Sequence, residues 1–96
     1  MAVFFDRYGS VAGRVEGNMI YDRFWSKVGE VAGDTIYDKY GSNDGKIWGN
    51  SVFDKYGNRA GEINGNDIFD RTGTKVGRAD GGFYTAKGAA AFFLLL

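Results

Sequence analysis

The sequence contains no cysteine, no histidine and no proline. Without cysteine, disulfide frameworks, thiolate nucleophiles and zinc-finger sites are excluded together. Without histidine there is no serine–histidine triad, no imidazole metal ligand and no side chain that ordinarily titrates near neutral pH. Charge of one sign is missing too: 12 Lys and Arg stand against 12 Asp and Glu, so no global field attracts nucleic acid. The opening Met1-Ala2-Val3-Phe4-Phe5-Asp6-Arg7 has no charged leader ahead of an apolar stretch. No signal peptide is expected from it, and a cytoplasmic or membrane-peripheral location is. The 96 residues suffice for one domain, because each half of a divided chain would bury too little apolar surface to offset its ordering entropy.

What the chain has in quantity is glycine and aromatic residues, 16 Gly with 8 Phe, 6 Tyr and 2 Trp, and their placement is periodic. Five repeats occupy residues 3–18, 19–34, 35–50, 51–66 and 67–81, each 16 residues long except the last, which is one shorter. Asp6, Asp22, Asp38, Asp54 and Asp70 fall in one column. An aromatic precedes each (Phe5, Tyr21, Tyr37, Phe53, Phe69), and Arg7, Arg23, Lys39, Lys55 or Arg71 follows. Most of the glycines fall in three further columns, beginning at Gly9, Gly13 and Gly17. Self-similarity of this kind marks a repeat architecture.

Each repeat reads as a β-hairpin. The first arm, as in Ser51-Val52-Phe53-Asp54-Lys55-Tyr56, is rich in β-branched and aromatic residues. A loop bounded by Gly57 and Gly61 should reverse the chain through positive φ, and the second arm Glu62-Ile63-Asn64 should alternate between wet and dry faces. Gly65-Asn66 then supplies a two-residue link to the next repeat. Ten short strands follow, and residues 82–88 read as the first arm of a degenerate sixth repeat, hence an eleventh strand. So many short strands close most readily into an up-and-down barrel, because twist accumulates and open edges aggregate. The alternative is a β-solenoid with one coil per repeat, which accounts for the period but not for two loop lengths and a non-repeating tail.

A barrel this wide needs a filling. Residues 89–96 carry no polar side chain, and a helix running from Gly88 to the end would span roughly 13 Å, short of the twenty or so apolar residues of a membrane span. The tail is therefore expected to plug the lumen, with Phe92, Phe93, Leu94, Leu95 and Leu96 buried inside it. The predicted fold is all-β with one short C-terminal helix.

The aspartate column is expected to be structural, each carboxylate accepting N–H bonds from its own loop rather than forming a metal or acid–base ring. The cations after them should form a ring on the opposite strand face, largely paired with nearby carboxylates. Trp25 and Trp48 depart from their columns. With Arg23, Lys27 and Lys46 they are the candidate lipid or partner surface, an aromatic–cation patch. Asn64-Gly65-Asn66-Asp67 and Asn43-Asp44-Gly45 lack the further ligands of calcium loops. Ser10, Ser26, Ser42 and Thr74 recur at a turn position, and without histidine only a lysine could activate them, so no nucleophile is expected there. No catalytic, cofactor or metal site can be assembled, so an enzyme is not expected.

The pattern carried by Ile36-Tyr37-Asp38-Lys39-Tyr40-Gly41 and Ile63-Asn64-Gly65-Asn66 resembles the bacterial β-flower proteins over residues 3 to about 88. That resemblance implies a shallow symmetric barrel of hairpins with protruding petals. The family is similar in architecture to the Tubby C-terminal domain, a barrel around an apolar helix that binds phosphoinositides, and residues 89–96 look like a short counterpart of that helix. The function implied is a non-enzymatic module that binds a lipid or membrane surface. The alternative is a structural or protein-interaction module whose partner and oligomeric state the sequence leaves open.

Overall fold

The computed structural model describes residues 2–96. Its ten strands are β1 (Ala2–Asp6), β2 (Val11–Glu16), β3 (Met19–Asp22), β4 (Lys27–Ala32), β5 (Thr35–Asp38), β6 (Asn43–Trp48), β7 (Ser51–Asp54), β8 (Arg59–Asn64), β9 (Asp67–Asp70) and β10 (Lys75–Asp80). Each pairs antiparallel with its sequence neighbours, and β1 pairs with β10 to close the ring. Closure overturns the solenoid alternative and leaves no sheet edge. Four-residue loops join β1–β2, β3–β4, β5–β6, β7–β8 and β9–β10 at one rim, and two-residue turns join the remaining neighbours at the other.

The segment expected to form an eleventh strand is helical. The helix α1 (Phe83–Leu94) begins straight after Gly81 and Gly82, both at positive φ, and at about 1.5 Å per residue it is roughly 18 Å long. That matches the 18 Å short dimension of the 30 × 29 × 18 Å molecule. Ala86, Ala89, Ala90 and Ala91 favour helix, and the closed ring of ten strands offers no edge for an eleventh to join. The chain enters at the turn rim and leaves at the loop rim.

The hairpin loops are also shorter than the glycine spacing suggests. β8 starts at Arg59, so Gly61 lies within a strand instead of ending a loop. Only the earlier glycine, Gly57, takes positive φ, at 84°. Pairing across each loop slips by one residue, with Ala12, Val28, Asp44, Ala60 and Val76 bulged out of register. The bulge lets the following glycine turn into the lumen.

The lumen is filled in two tiers. Near the turn rim, large wall residues such as Ile20, Ile36, Ile47, Val52, Ile63 and Ile68 meet the alanines of α1, all of them buried. Near the loop rim the wall offers only glycine, and the helix end supplies the bulk. A β-carbon on Gly77 would meet Phe93, one on Gly61 Leu94, one on Gly45 Leu95 and one on Gly29 Leu96. Four consecutive residues are thus distributed one to a repeat, in reverse order. The fifth repeat position, Gly13, faces the Phe4 ring, which lies 5.0 Å from the ring of Phe92.

One expectation needs correcting here. Phe92, Phe93, Leu94, Leu95 and Leu96 are half-buried, not enclosed. The fully buried part of the plug is its small-residue segment, with Thr85 and Gly88 beside the alanines. The bulky residues sit at the open mouth because only the glycine tier is wide enough for them.

Candidate functional site at the loop rim

Each loop is built around its aspartate. Asp54 Oδ1 accepts N–H bonds from Tyr56 and Asn58, both at 2.9 Å. Its backbone carbonyl accepts from Gly57 N–H at 3.1 Å and its N–H donates to the Asn58 carbonyl at 2.8 Å. Asp6, Asp22, Asp38 and Asp70 make the same Oδ1 contacts. The five carboxylates are held apart, one per loop, and among the described residues no three acidic side chains converge. Asp70 differs from the others. Thr72 Oγ1 donates to Asp70 Oδ1 at 2.6 Å, and this bond leads the causes that hold its carboxyl below the ordinary range, with Thr74 N–H and the charge of Arg7 adding to it.

The cations following the aspartates lie in the loops, not on the strands, so they form no ring on a strand face. Strand alternation does not apply to them because each strand ends at its aspartate. Arg7, Arg23, Lys39 and Lys55 instead lie 5.3–5.5 Å from the ring centres of Tyr8, Phe24, Tyr40 and Tyr56. Among the described residues, ion pairs join Arg59–Glu62, Lys75–Asp67 and Lys87–Asp34, and none reaches a cation of this loop column.

Those four aromatics are the most exposed large apolar groups of the loop rim among the described residues, between 75% and 82% accessible. They stand on four of the five loops around the half-buried ends of Phe92 to Leu96. An apolar centre flanked by four aromatic petals, each with a cation beside it, is the principal feature of this face. Protruding petals were expected from the resemblance alone, and reading Ser51–Tyr56 as one strand arm kept Tyr56 from being recognised as one of them. The spacing Asp-x-aromatic-Gly was the available signal, since an aspartate that bonds the N–H two residues on places that residue in a turn.

The five residues of the tryptophan patch do not come together. Arg23, Trp25 and Lys27 belong to the loop rim of the second repeat, whereas Lys46 and Trp48 lie toward the turn rim of the third. Trp25 occupies the loop-glycine column at φ 66°, a conformation that costs a bulky residue roughly 1–2 kcal/mol. It is held there by the Arg14 guanidinium, 4.6 Å from the ring centre, and by the Tyr21 ring at 5.7 Å. Arg23 lies by Phe24 instead, and Lys46 is 5.2 Å from Trp48.

The family model described as 5-fold beta-flower protein matches residues 4–96. No curated protein and no solved structure matches the chain. The match takes in all five hairpins and the central helix, and the ring closes with the fivefold order that its description names. The chain belongs to the 5-fold beta-flower family.

Proposed function

We propose that this β-flower domain is a non-enzymatic module that seats its loop rim on a membrane surface. The observation that carries the reading is the coincidence, on one rim, of four exposed aromatics, their neighbouring cations and the apolar mouth of the barrel. Aromatic rings with a polar flank suit the headgroup region, and exposed apolar area of this kind marks an interaction surface. Charge distribution supports the same orientation. Residues 6–12, 22–28, 38–44, 54–60 and 70–76 carry eight cations against six carboxylates, and the rest of the chain four against six. Among the described residues no helix is long and apolar enough to cross a membrane, and the mode proposed is peripheral. The Tubby-like resemblance points the same way.

Vesicle flotation tests the reading. The protein should float with zwitterionic vesicles and somewhat better with anionic lipid added, and replacing Tyr8, Phe24, Tyr40 and Tyr56 together by Ser should abolish flotation. No flotation with either composition overturns it. A protein-interaction role has separate support in the opposite rim, where Trp48 and Tyr84 are 72% and 77% exposed. One stoichiometric protein partner, with no lipid retained, would establish that role instead.

A further inference from the structure

The loop rim is not fully symmetric, and its departures coincide. Two grooves beside the helix end are equivalent by repeat. One, between the first two loops, is lined by Asp6, Ala12, Asp22, Arg23 and Phe24 and has a volume of about 380 Å³. Its counterpart between the last two loops is lined by Asp54, Ala60, Asp70, Arg71 and Thr72 and measures about 570 Å³. Thr72 stands where the other four repeats carry Tyr or Phe, and its hydroxyl is drawn down onto Asp70 Oδ1 and Thr74 Oγ1. The missing petal widens the groove. Arg59 adds a second cation where the first groove's repeat has Val11.

We propose that this groove holds the zwitterionic headgroup of one lipid from the bilayer on which the rim rests, with the start of its acyl chain on Phe93, Leu94 and Leu95. The proposal rests on the membrane-docking reading of the rim. Charge selects the headgroup class, because two guanidinium groups and two carboxylates line the same groove. Arg71 is in no ion pair among the described residues, and Arg59 is only loosely engaged, at 3.4 Å from both Glu62 Oε2 and Ser51 Oγ. They face the lipid phosphate. The hydrogen bonds to Asp54 and Asp70 reach Oδ1 alone among the described residues, leaving Oδ2 of each for the lipid ammonium group. The floor is apolar, being the half-buried helix end. The volume lies in the range of about 300–1,000 Å³ usual for small-molecule sites.

The test uses dihexanoylphosphatidylcholine below its critical micelle concentration, titrated by calorimetry and by NMR shifts of Phe93, Leu94 and Leu95. Thr72→Tyr restores the missing petal, in a column where four repeats already accommodate Tyr or Phe. It should weaken this binding about tenfold or more while the variant still floats with vesicles. Arg71→Ala should weaken it similarly, and hexyl sulfate, which lacks the ammonium group, should bind less tightly than the zwitterion. Unchanged binding to Thr72→Tyr, or hexyl sulfate binding as tightly as the zwitterion, overturns the groove. A wild-type protein that does not float yet binds the short-chain lipid in a Thr72-sensitive manner overturns rim docking and supports the groove.

Discussion

Leu94 occupies the space that a side chain on Gly61 would need: its Cδ1 lies 2.8 Å from where that β-carbon would sit. The Phe69 carbonyl oxygen of the neighbouring strand closes the same space from the side. Glycine is required here by close approach and not by an unusual φ. Gly61→Ala should therefore destabilise the fold by about 3 kcal/mol, at the upper end of overpacking costs. Gly57→Ala, at positive φ with open space around it, should cost only about 1 kcal/mol. Adding Leu94→Ala to Gly61→Ala should recover part of the loss but not all, because the carbonyl contact remains. Denaturant midpoints of the three variants check the order, and equal costs for the two glycines would contradict it.

The helix end adds bulk at the same tier. Complete burial of one large apolar side chain is worth about 1.5–3 kcal/mol, so five half-buried ones contribute about 4–8 kcal/mol as an upper bound. A domain of this size is stable by only about 5–15 kcal/mol. A chain ending at Ala91 should be unfolded or aggregated at room temperature, as judged by circular dichroism and sedimentation. If it keeps its thermal midpoint, the tail is peripheral to the core.

The loop aspartates predict a chemically specific pattern. Asp54→Ala removes the acceptor of two N–H bonds and should cost about 1–2 kcal/mol. Asp54→Asn keeps an Oδ1 acceptor and should cost less than half as much. Equal losses in thermal melts would indicate that charge, not the loop hydrogen bonds, is what matters.

Asp70 gives a pH prediction. Its carboxyl titrates below the ordinary value of 3.8, chiefly through the Thr72 hydroxyl. A depressed carboxyl pKa means that the folded state favours the ionised form. The associated stability is therefore complete above the ordinary carboxylate range and is lost as pH falls through the lowered value. Thr72→Val should move the Asp70 titration back toward the ordinary value in a carboxyl-carbon NMR titration. An unmoved Asp70 curve would assign the shift to the backbone N–H bonds instead.

The hairpin count and ring closure could be read from the repeat because strand propensity and turn chemistry act locally, as in Ser51-Val52-Phe53 and Gly65-Asn66. The Gly61 column was misread because a glycine shows the same letter whether it serves positive φ or close approach. Which one applies depends on Leu94, 33 positions away in sequence. Residues 82–88 were misread for a related reason. Phe83, Tyr84 and Thr85 have strand propensity, and only the occupied ring converts them to helix. The petals lay within reach of local reasoning. The groove at Thr72 did not, since it needs two loops and the helix end together.

The seating of α1 involves a mismatch of symmetry. A wall of five near-identical hairpins looks almost the same after each rotation of 72° about its axis, while successive helix residues are spaced by about 100°. Five seatings of the helix would be nearly degenerate if every repeat were identical. The degeneracy is lifted by the few wall residues that differ: Phe4, packed tilted and edge-on against Phe92 and Phe93, Ala79 where other repeats carry Val or Ile, and Asp34, which holds Lys87 at 3.0 Å. Regularising those positions would leave every strand in place and would give up the single orientation of the helix. The imperfections of the repeat thus set the one angular coordinate that its regularity leaves undetermined.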